Sequence, residues 1–376
     1  MGKDTSRSPV RGAVAYTPPH HCQGVNVVDG LTQDTIGTTS DGKPVDRFTL
    51  TSRDGATLRV IALGATATGL TVPDRNGDVG DVLLGFDTVA EYETNVPYFG
   101  CTVGRVANRI SNARFHLQGA DYELAANLPP HHLHGGIQGF HKALWDAEPA
   151  SRDTGPAVRF NYVSADGEEG YPGELTTQVL YQLTHDCALR IEYEAITTRA
   201  TPVNLTNHAY LNLDGHNGGP ILSNLLTIHA DSYTLPAEDG VPTGEIAPVE
   251  GTPLDFRNAT AVGDRIDQLA GGYDHNFVLD RAEDRAVEPL PAAEVYCPNS
   301  GRLMTLLTTE PGVQLYTGNL LGPLLGKGGI VYQNRGALCL ETQHFPDSVN
   351  KPQFPSVILR PGEVYRQVTE YRFSTR

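Results

Sequence analysis

The chain contains 376 residues, carries a formal net charge of −16 and is 39% hydrophobic. Nucleic acids and anionic membranes are negatively charged and bind basic protein surfaces, so we expect this acidic chain to bind neither. Its 40 glycines and 26 prolines are typical of many strands joined by turns.

The cysteines indicate a reducing compartment. There are five, widely spaced and without a CxxC pair, which argues against both a disulfide framework and a zinc site. Residues 1–18 lack the apolar stretch of a secretory signal. No run of the sequence approaches the roughly 18 apolar residues of a membrane span. We therefore expect a cytoplasmic protein.

The first 45 residues are low in apolar periodicity and predict a mobile tail followed by an irregular lead-in. From residue 46 to residue 376 the pattern predicts a single domain. The first elements expected in it are strands over 47–51, 58–63 and 82–86, and a short helix over 88–94 with Asp87 as its N-cap.

The clearest strands are 178–183 and 189–195, in which apolar and polar residues alternate as in a half-buried antiparallel sheet. Residues 235–257 are expected to form mostly turns. Residues 303–309 and 313–317 are expected to pair around the turn Pro311-Gly312. Many strands and little helix predict an all-β fold, a large antiparallel β-sandwich with few short helices.

A carboxylate follows one of the apolar runs. Residues 337–340, Ala-Leu-Cys-Leu, predict a buried strand, and Glu341 is expected where that strand ends in a polar loop. A carboxylate held at such a position is well placed to act as a general base. Capping of the loop or pairing with a nearby cation is the other interpretation.

His208 lies in the segment Thr201 to Leu213, in which polar and apolar residues largely alternate. One face of this segment would carry the hydrogen-bonding side chains Asn204, Thr206, His208, Tyr210 and Asn212. Such a face suits a cleft for a polyhydroxylated ligand, or else a solvated sheet face. An imidazole there can exchange a proton near neutral pH.

Other polar candidates lie outside these two segments. Asn108 and Arg109 are near the end of the segment GRVANRI, where an arginine suits either hydroxyl recognition or an ordinary ion pair. Asp274 leads a predicted strand and either binds sugar hydroxyls or forms a turn. Gln314 places an amide on another strand.

The motif HHLHGG brings three imidazoles together, but no carboxylate lies at metalloenzyme spacing, and we expect no metal. His134, before two glycines, is interpreted as facing a ligand, and His131 and His132 as loop surface. The sequence contains no GxxxxGK[ST], GxGxxG or GxSxG motif, so it supports neither a phosphate cradle nor a serine nucleophile.

Taken together, several segments resemble the aldose 1-epimerase (galactose mutarotase) family. In family order they are GRVANRI, LHGG followed by GFHKALW, DGEEGYPGEL, TPVNLTNHAYLNL, DHNF, PGVQLYTGN, and LETQHFPDSVNKPQFP with LRPGEVY. They cover roughly Val45 to Phe373, and residues 1–30 lie outside the resemblance. The resemblance implies a β-sandwich of the galactose-mutarotase type.

The resemblance also implies an enzyme without cofactor that interconverts the α and β anomers of hexopyranoses such as glucose and galactose. It gives Glu341 the role of general base and His208 that of general acid. The positions that resemble the family's sugar-binding set are Asn108, Arg109, His134, Tyr210, Asp274 and Gln314. The implied partner is a small-molecule aldose, and we expect a monomer or a homodimer.

The residues suit that chemistry. A cyclic sugar opens when its C1 hydroxyl loses a proton while the ring oxygen gains one, so Glu341 would take the first proton and His208 would supply the second. Rotation about C1–C2 and reclosure then give the other anomer. We expect a pKa of Glu341 above its ordinary value and a bell-shaped dependence of the rate on pH.

Three alternatives remain open at this point. Glu341 and Asp274 could be the paired carboxylates of a glycoside hydrolase. The same scaffold could bind a sugar without catalysis. A hexose-6-phosphate epimerase would need additional cations around its cleft, and a net charge of −16 gives no sign of them.

Overall fold

The computed structural model describes residues 29–280 and 288–376. Within these ranges the chain forms many short strands and one α-helix, α1 (Val89–Thr94). None of the helices in the described part is long and apolar enough to cross a bilayer. The strands up to residue 133 are β1 (Leu31–Thr38), β2 (Pro44–Thr51), β3 (Thr57–Ile61), β4 (Thr66–Pro73), β5 (Val79–Asp81), β6 (Thr102–Val103), β7 (Arg109–Ile110), β8 (Arg114–Leu117), β9 (Ala120–Glu123) and β10 (His132–Leu133).

The remaining strands follow in the same order. Those up to residue 261 are β11 (Asp146–Arg152), β12 (Gly155–Ser164), β13 (Leu175–Leu183), β14 (Ala188–Thr197), β15 (Thr201–Pro202), β16 (Thr206–Asn207), β17 (Leu225–Ile228), β18 (Ser232–Pro236), β19 (Pro242–Pro248) and β20 (Thr260–Ala261). The last are β21 (Asp274–Val278), β22 (Leu290–Tyr296), β23 (Arg302–Thr308), β24 (Gly312–Tyr316), β25 (Leu324–Leu325), β26 (Val331–Tyr332), β27 (Cys339–Gln343), β28 (Ile358–Leu359) and β29 (Tyr365–Thr375). Single 3-10 turns occupy Ser111–Ala113, Phe140–Lys142, Glu168–Gly170, Ile221–Ser223, Val262–Asp264, Ile266–Gln268, Lys327–Gly329 and Ser348–Asn350.

Three sheets organise the described part of the chain. A nine-stranded sheet has the order β11-β12-β13-β14-β29-β23-β22-β17-β20, and two five-stranded sheets have the orders β1-β2-β3-β4-β5 and β19-β18-β21-β24-β27. Neighbouring strands such as β13 and β14, or β24 and β27, run antiparallel. The predicted all-β sandwich with few short helices is confirmed.

The core lies between sheets and follows from the alternation of side chains along each strand. In β14, Leu189, Ile191 and Tyr193 are buried, as period-2 patterning predicts. The ring of Phe48 on β2 meets that of Phe160 on β12 edge-on at 5.8 Å, so the first five-stranded sheet packs on the nine-stranded one. The sandwich thereby buries aromatic rings from both layers.

The predicted irregular lead-in contains a strand. Residues 29 and 30 form a turn, and β1 then pairs antiparallel with β2 along the edge of its sheet. Its residues Gln33 and Asp34 are exposed. An edge strand is held by backbone hydrogen bonds to one neighbour, and it can form without an apolar face. The sequence pattern therefore gave no strand signal. Residues 1–28 of the predicted tail lie outside the described residues.

One local prediction in the second half was incomplete and another was wrong. Most of residues 235–257 lie outside strands, as predicted, but the segment also contains β19 and the end of β18, which pair as a hairpin. Strands β23 and β24 were expected to pair with each other around Pro311-Gly312. Instead β23 pairs with β22 and β29, and β24 pairs with β21 and β27, so this turn carries the chain from one sheet to another.

The first predicted helix exists, but its cap is different. Thr88, not Asp87, is the N-cap, because the Thr88 hydroxyl accepts from the Glu91 backbone N–H while the Glu91 carboxylate accepts from the Thr88 N–H. Residues 82–86 form no continuous strand and contribute a single bridge from Leu83 to Leu211.

Arg105, in the same segment as Asn108 and Arg109, is structural. It is 2% exposed, and its guanidinium donates to the Ser164 hydroxyl and to the backbone oxygens of Ser164, Ala165, Pro172 and Gly173. These bonds fasten the loop before β13 to the segment that leads to the site.

We expect Arg105→Ala to lower the free energy of unfolding by more than about 3 kcal/mol, because several buried carbonyls would lose their donor. Urea denaturation followed by circular dichroism measures this effect. Arg114→Ala, at an exposed position, is the matched control and should change stability by less than about 0.5 kcal/mol. Equal effects of the two changes would contradict the structural role.

Candidate active site

Three consecutive strands of the second five-stranded sheet place polar side chains in a row. Asn276 on β21 is paired in register with Gln314 on β24, which is paired with Glu341 on β27. Directly opposed residues of an antiparallel sheet project from the same face. All three side chains are at most 3% exposed, so the row lies inside the protein.

Glu341 lies in the middle of β27, whereas the sequence predicted it at the end of the strand. Strand β27 continues through Thr342 to Gln343, and all of its residues are buried. The pattern Glu-Thr-Gln indicates a loop in most sequences because polar residues are rarely fully buried. Here they are enclosed between layers, and the strand continues through them.

His208 directly follows β16 and approaches Glu341 from a different part of the fold. Its backbone N–H donates to the Cys101 carbonyl at 3.0 Å, and its carbonyl accepts from the Gly100 N–H at 2.9 Å. Its Nε2 lies 3.7 Å from Oε1 of Glu341. The two predicted catalytic residues are therefore neighbours, 5% and 2% exposed.

Burial shifts the titration of both groups toward their neutral forms. It lowers the pKa of His208 to about 4 and raises the pKa of Glu341 to about 8, the latter with a contribution from the nearby Asp274 carboxylate. The raised pKa of Glu341 has the direction that the sequence-based mechanism required. Between these two values the pair shares one proton.

His134 is the third imidazole of the site. Its ring Nδ1 accepts the Asn108 backbone N–H at 3.2 Å, and the His134 backbone N–H donates to the Asn108 carbonyl at 3.1 Å. Burial, helped by the neighbouring His208, holds the pKa of His134 well below its ordinary value. A neutral imidazole that accepts at Nδ1 carries its proton on Nε2, so His134 presents a donor there.

One ligand atom from each of His134, His208 and Glu341 lies within 4.8 Å of the others, a spacing that a metal ion would also accept. A metal at Nε2 of His134 would need a lone pair on that nitrogen. Because Nδ1 accepts the Asn108 N–H, the proton of the neutral ring is on Nε2, and no lone pair remains there. The arrangement therefore favours a hydrogen-bond donor to a ligand over a metal site at His134.

Three polar side chains beside the His208–Glu341 pair are linked through one carboxylate. They are Arg109, Asp274 and Gln314. Nη2 of Arg109 lies 3.5 Å from Oδ2 of Asp274, and Nε2 of Gln314 donates to Oδ1 of the same carboxylate. The Asp274 side chain is 40% exposed, so this part of the site reaches solvent. The Asn108 side chain accepts from the Arg109 backbone N–H at 2.8 Å and orients that residue.

The turn of the β18–β19 hairpin contacts this group. A Cβ added at Gly240 would lie 3.2 Å from Cζ of Arg109, and the φ of Gly240 is +78°. Asp239 of the same turn lies 3.3 Å from Nε2 of His131. The hairpin therefore forms a wall beside the guanidinium, and glycine permits its close approach.

Tyr210 is buried beside the imidazole of His208. The two rings are nearly parallel, 5.0 Å apart at 14°, and Phe99 meets Tyr210 edge-on at 4.9 Å. The predicted site residues Asn108, Arg109, His134, Tyr210, Asp274 and Gln314 are thus linked by these contacts to the His208–Glu341 pair or to one another.

The predicted polar face around His208 is only partly a ligand face. The Asn204 side chain accepts from the His344 N–H at 3.0 Å and donates to the His344 carbonyl at 3.1 Å. The Asn212 side chain donates to the carbonyls of Gly219 and Gly336. Both amides hold backbone segments together and are not free for a ligand, a distinction that side-chain alternation alone cannot make.

His131 and His132 are not loop surface as predicted, since they are 5% and 0% exposed. The Nδ1 of His132 lies 2.7 Å from the Ala125 carbonyl, and its Nε2 lies 2.7 Å from the Tyr171 hydroxyl, so both ring nitrogens have partners. Its role is structural.

Comparisons with known proteins agree with the fold and identify the family. The model of the family described as Aldose 1-epimerase matches residues 46–372. A galactose mutarotase from Rattus norvegicus is 46% identical over 337 residues, which cover 89% of this chain and 96% of the relative. An aldose 1-epimerase from Escherichia coli K12 is 34% identical over 350 residues, covering 91% of this chain and 99% of the relative.

Solved structures give the same result. The crystal structure of an aldose epimerase homologue from C. elegans matches with a TM-score of 0.80 and 32% identity, covering 87% of this chain and 98% of that one. The fold is thus a β-sandwich of the galactose mutarotase type, with an imidazole–carboxylate pair buried among its strands. The chain belongs to the aldose 1-epimerase family.

Proposed function

We propose that this chain is a mutarotase that interconverts the α and β anomers of neutral hexopyranoses, galactose and glucose among them. The observation that carries the proposal is the 3.7 Å approach of Nε2 of His208 to Oε1 of Glu341 in a buried site. The chain's similarity to a galactose mutarotase from Rattus norvegicus and to an aldose 1-epimerase from Escherichia coli supports the same reaction. Ring opening and closure need one acid and one base from the protein, and these two side chains can supply both.

In the proposed mechanism Glu341 removes the proton of the C1 hydroxyl while His208 protonates the ring oxygen. The C1–O5 bond breaks, the open aldehyde rotates about C1–C2, and reclosure returns both protons to their donors. Each group acts once as acid and once as base, so the enzyme ends the cycle unchanged. Concerted assistance of this kind contributes on the order of 10²–10⁴-fold for each group.

The reactive form places the shared proton on His208. In the empty site burial favours the proton on Glu341, because its pKa is raised and that of His208 is lowered. Sugar hydroxyls that donate to Glu341 stabilise its carboxylate, and a ring oxygen that accepts from His208 stabilises the imidazolium. Binding of the sugar therefore moves the proton toward the form that reacts.

The remaining groups suit a sugar that carries no charge. The His134 Nε2–H and the Arg109 guanidinium offer donors, and Asp274 offers acceptors, which is the mixture that hydroxyl groups require. Among the cleft residues named above, Arg109 is the single permanent cation, and it is already paired with Asp274. A phosphorylated hexose would find no free positive charge in this set.

We expect a bell-shaped dependence of the catalysed rate on pH, with limbs near pH 4 and pH 8. Below the lower limb both groups are protonated and no base remains, and above the upper limb neither is protonated and no acid remains. The form with the proton on Glu341 and the form with the proton on His208 hold the same number of protons. The pH values of the two limbs are therefore the same whichever form reacts. Initial rates corrected for the spontaneous reaction measure this profile. A rate that still rises beyond about pH 9 would contradict the pairing.

Polarimetry on freshly dissolved α-galactose and α-glucose tests the activity. We expect the protein to accelerate the approach to optical equilibrium, with the spontaneous reaction as the control. Release of sugar from a chromogenic glycoside would instead favour a glycoside hydrolase using Glu341 and Asp274. Binding of galactose with an unchanged optical rate would favour a non-catalytic sugar-binding domain.

A reducing compartment such as the cytoplasm fits the cysteines. Cys101, Cys187, Cys297 and Cys339 are free and buried thiols. Such thiols are usual in proteins that meet no oxidising environment. That the protein is a monomer or a homodimer stays a prediction.

A further inference from the structure

No other residue in the described part of the chain forms a hydrogen bond that fixes the imidazole ring of His208. Its Nδ1 is buried and has no partner on another of these residues. Its Nε2 lies 3.7 Å from Glu341, which is too long for a hydrogen bond. Catalytic imidazoles are usually oriented by a partner on the second nitrogen. Here the orientation of the ring must come from packing.

Two tyrosine rings supply that packing. Tyr210 lies 5.0 Å from the His208 ring at an interplanar angle of 14°, and Tyr98 lies 6.0 Å from it at 17°. His134 meets the same imidazole nearly edge-on, at 5.2 Å and 73°. Neighbouring rings at these distances limit reorientation of the imidazole, because they occupy the space beside it.

Tyr98 is itself firmly held. Its ring also contacts the rings of His134 at 4.8 Å and His141 at 4.7 Å, so it touches three imidazoles. Its backbone N–H donates to the Asn95 carbonyl at 2.9 Å. Its φ is +63°, a left-handed conformation that bulky residues rarely adopt. Such a conformation persists only where the surroundings impose it.

We propose that Tyr98 is a positioning residue, whose ring holds the imidazole of His208 in the orientation needed to protonate the sugar. The proposal rests on the proposed mutarotase function and adds to it a residue that acts through His208. The essential feature is the flat ring, because the contacts to the three imidazoles are ring contacts. No sequence motif pointed to this residue, since Tyr98 lies in the turn-rich stretch Asn95 to Cys101.

Orientation matters here because proton transfer depends steeply on geometry. A displacement of about 1 Å at a reacting group can reduce a rate by about 10²-fold. Loss of the Tyr98 ring would free one side of the imidazole and let it rotate away from the ring oxygen. The expected loss is therefore in turnover, with sugar binding retained through Arg109 and Asp274.

The test compares Tyr98→Phe, which keeps the ring, with Tyr98→Leu, which removes it. We expect Tyr98→Leu to lower kcat by about tenfold to 10²-fold while KM for galactose changes less than about threefold, and Tyr98→Phe to stay within about twofold of wild type. Tyr98→Met is the second variant, for use where Tyr98→Leu does not fold. Tyr233→Leu removes a tyrosine ring that lies 6.2 Å from His275, outside the catalytic pair, and should leave kcat unchanged.

Three results would overturn the proposal. Wild-type kcat in folded Tyr98→Leu or Tyr98→Met would show that the ring is not needed. An equal loss in Tyr98→Phe would assign the effect to the hydroxyl. A rise in KM at constant kcat would make Tyr98 a sugar contact. If the wild-type protein itself fails to accelerate mutarotation, the proposed function fails first, and the two failures are thereby distinguished.

Discussion

Glu341→Gln should fold normally and bind galactose, yet lose catalysed mutarotation by about 10²-fold to 10⁴-fold. The carboxyl group is buried and its pKa is raised to about 8, so the folded protein already accommodates a neutral group at this position. Glutamine has nearly the same shape and removes only the basicity. Polarimetry measures the rate, and galactose binding by calorimetry shows whether the cleft is intact.

Glu370→Gln is the matched control for this change. Glu370 is 6% exposed and pairs with Arg190 at 2.9 Å on the nine-stranded sheet, away from the cleft. Its replacement removes a mostly buried carboxylate without touching the proposed chemistry, so the rate should be retained even where stability falls. A Glu341→Gln protein with near-wild-type turnover would mean that another residue is the base.

His208→Ala should lower the catalysed rate by a similar factor, because it removes the donor to the ring oxygen. Some loss of sugar binding is also expected, since the His208 side chain lies between Glu341 and the Tyr210 ring and its removal leaves a gap there. Rates at several galactose concentrations separate the effect on kcat from the effect on KM.

The double variant His208→Ala, Glu341→Gln sharpens both predictions. Residues that act together in one step show non-additive effects, so the double variant should be little slower than the slower single variant. Multiplicative losses would indicate two independent contributions and would contradict a concerted transfer between this acid and this base.

The sequence predicted the sheet strands well where each strand has one buried face. In β14 the alternation of Leu189, Ile191 and Tyr193 with charged residues determines both the strand and the side that is buried. It failed where edge position or full burial removes that alternation. Edge strand β1 shows no apolar face, and β27 is buried throughout, including the polar side chains Glu341 and Gln343.

The predicted site came from short motifs rather than from periodicity. His208 and Glu341 are 133 positions apart in the sequence, and their separation of 3.7 Å depends on how two distant segments pack. Motif resemblance could give their identity but not their distance or their pKa values. Tyr98 and the amide bridge of Asn204 to His344 were missed for the same reason, because their roles exist only as contacts between remote segments.

Two parts of the site differ in how much sequence change they can accept. One is the in-register row of Asn276, Gln314 and Glu341, and the other is the hairpin turn beside Arg109. A one-residue slip in β27 would turn Glu341 to the opposite side of its sheet, so the row tolerates almost no insertion or deletion. The turn at Gly240 takes no part in the pairing of this row, although it touches the site through Asp239 at His131 and through Gly240 at Arg109. A change confined to that turn would therefore alter the wall beside Arg109 without shifting the register that aligns Glu341 with Gln314.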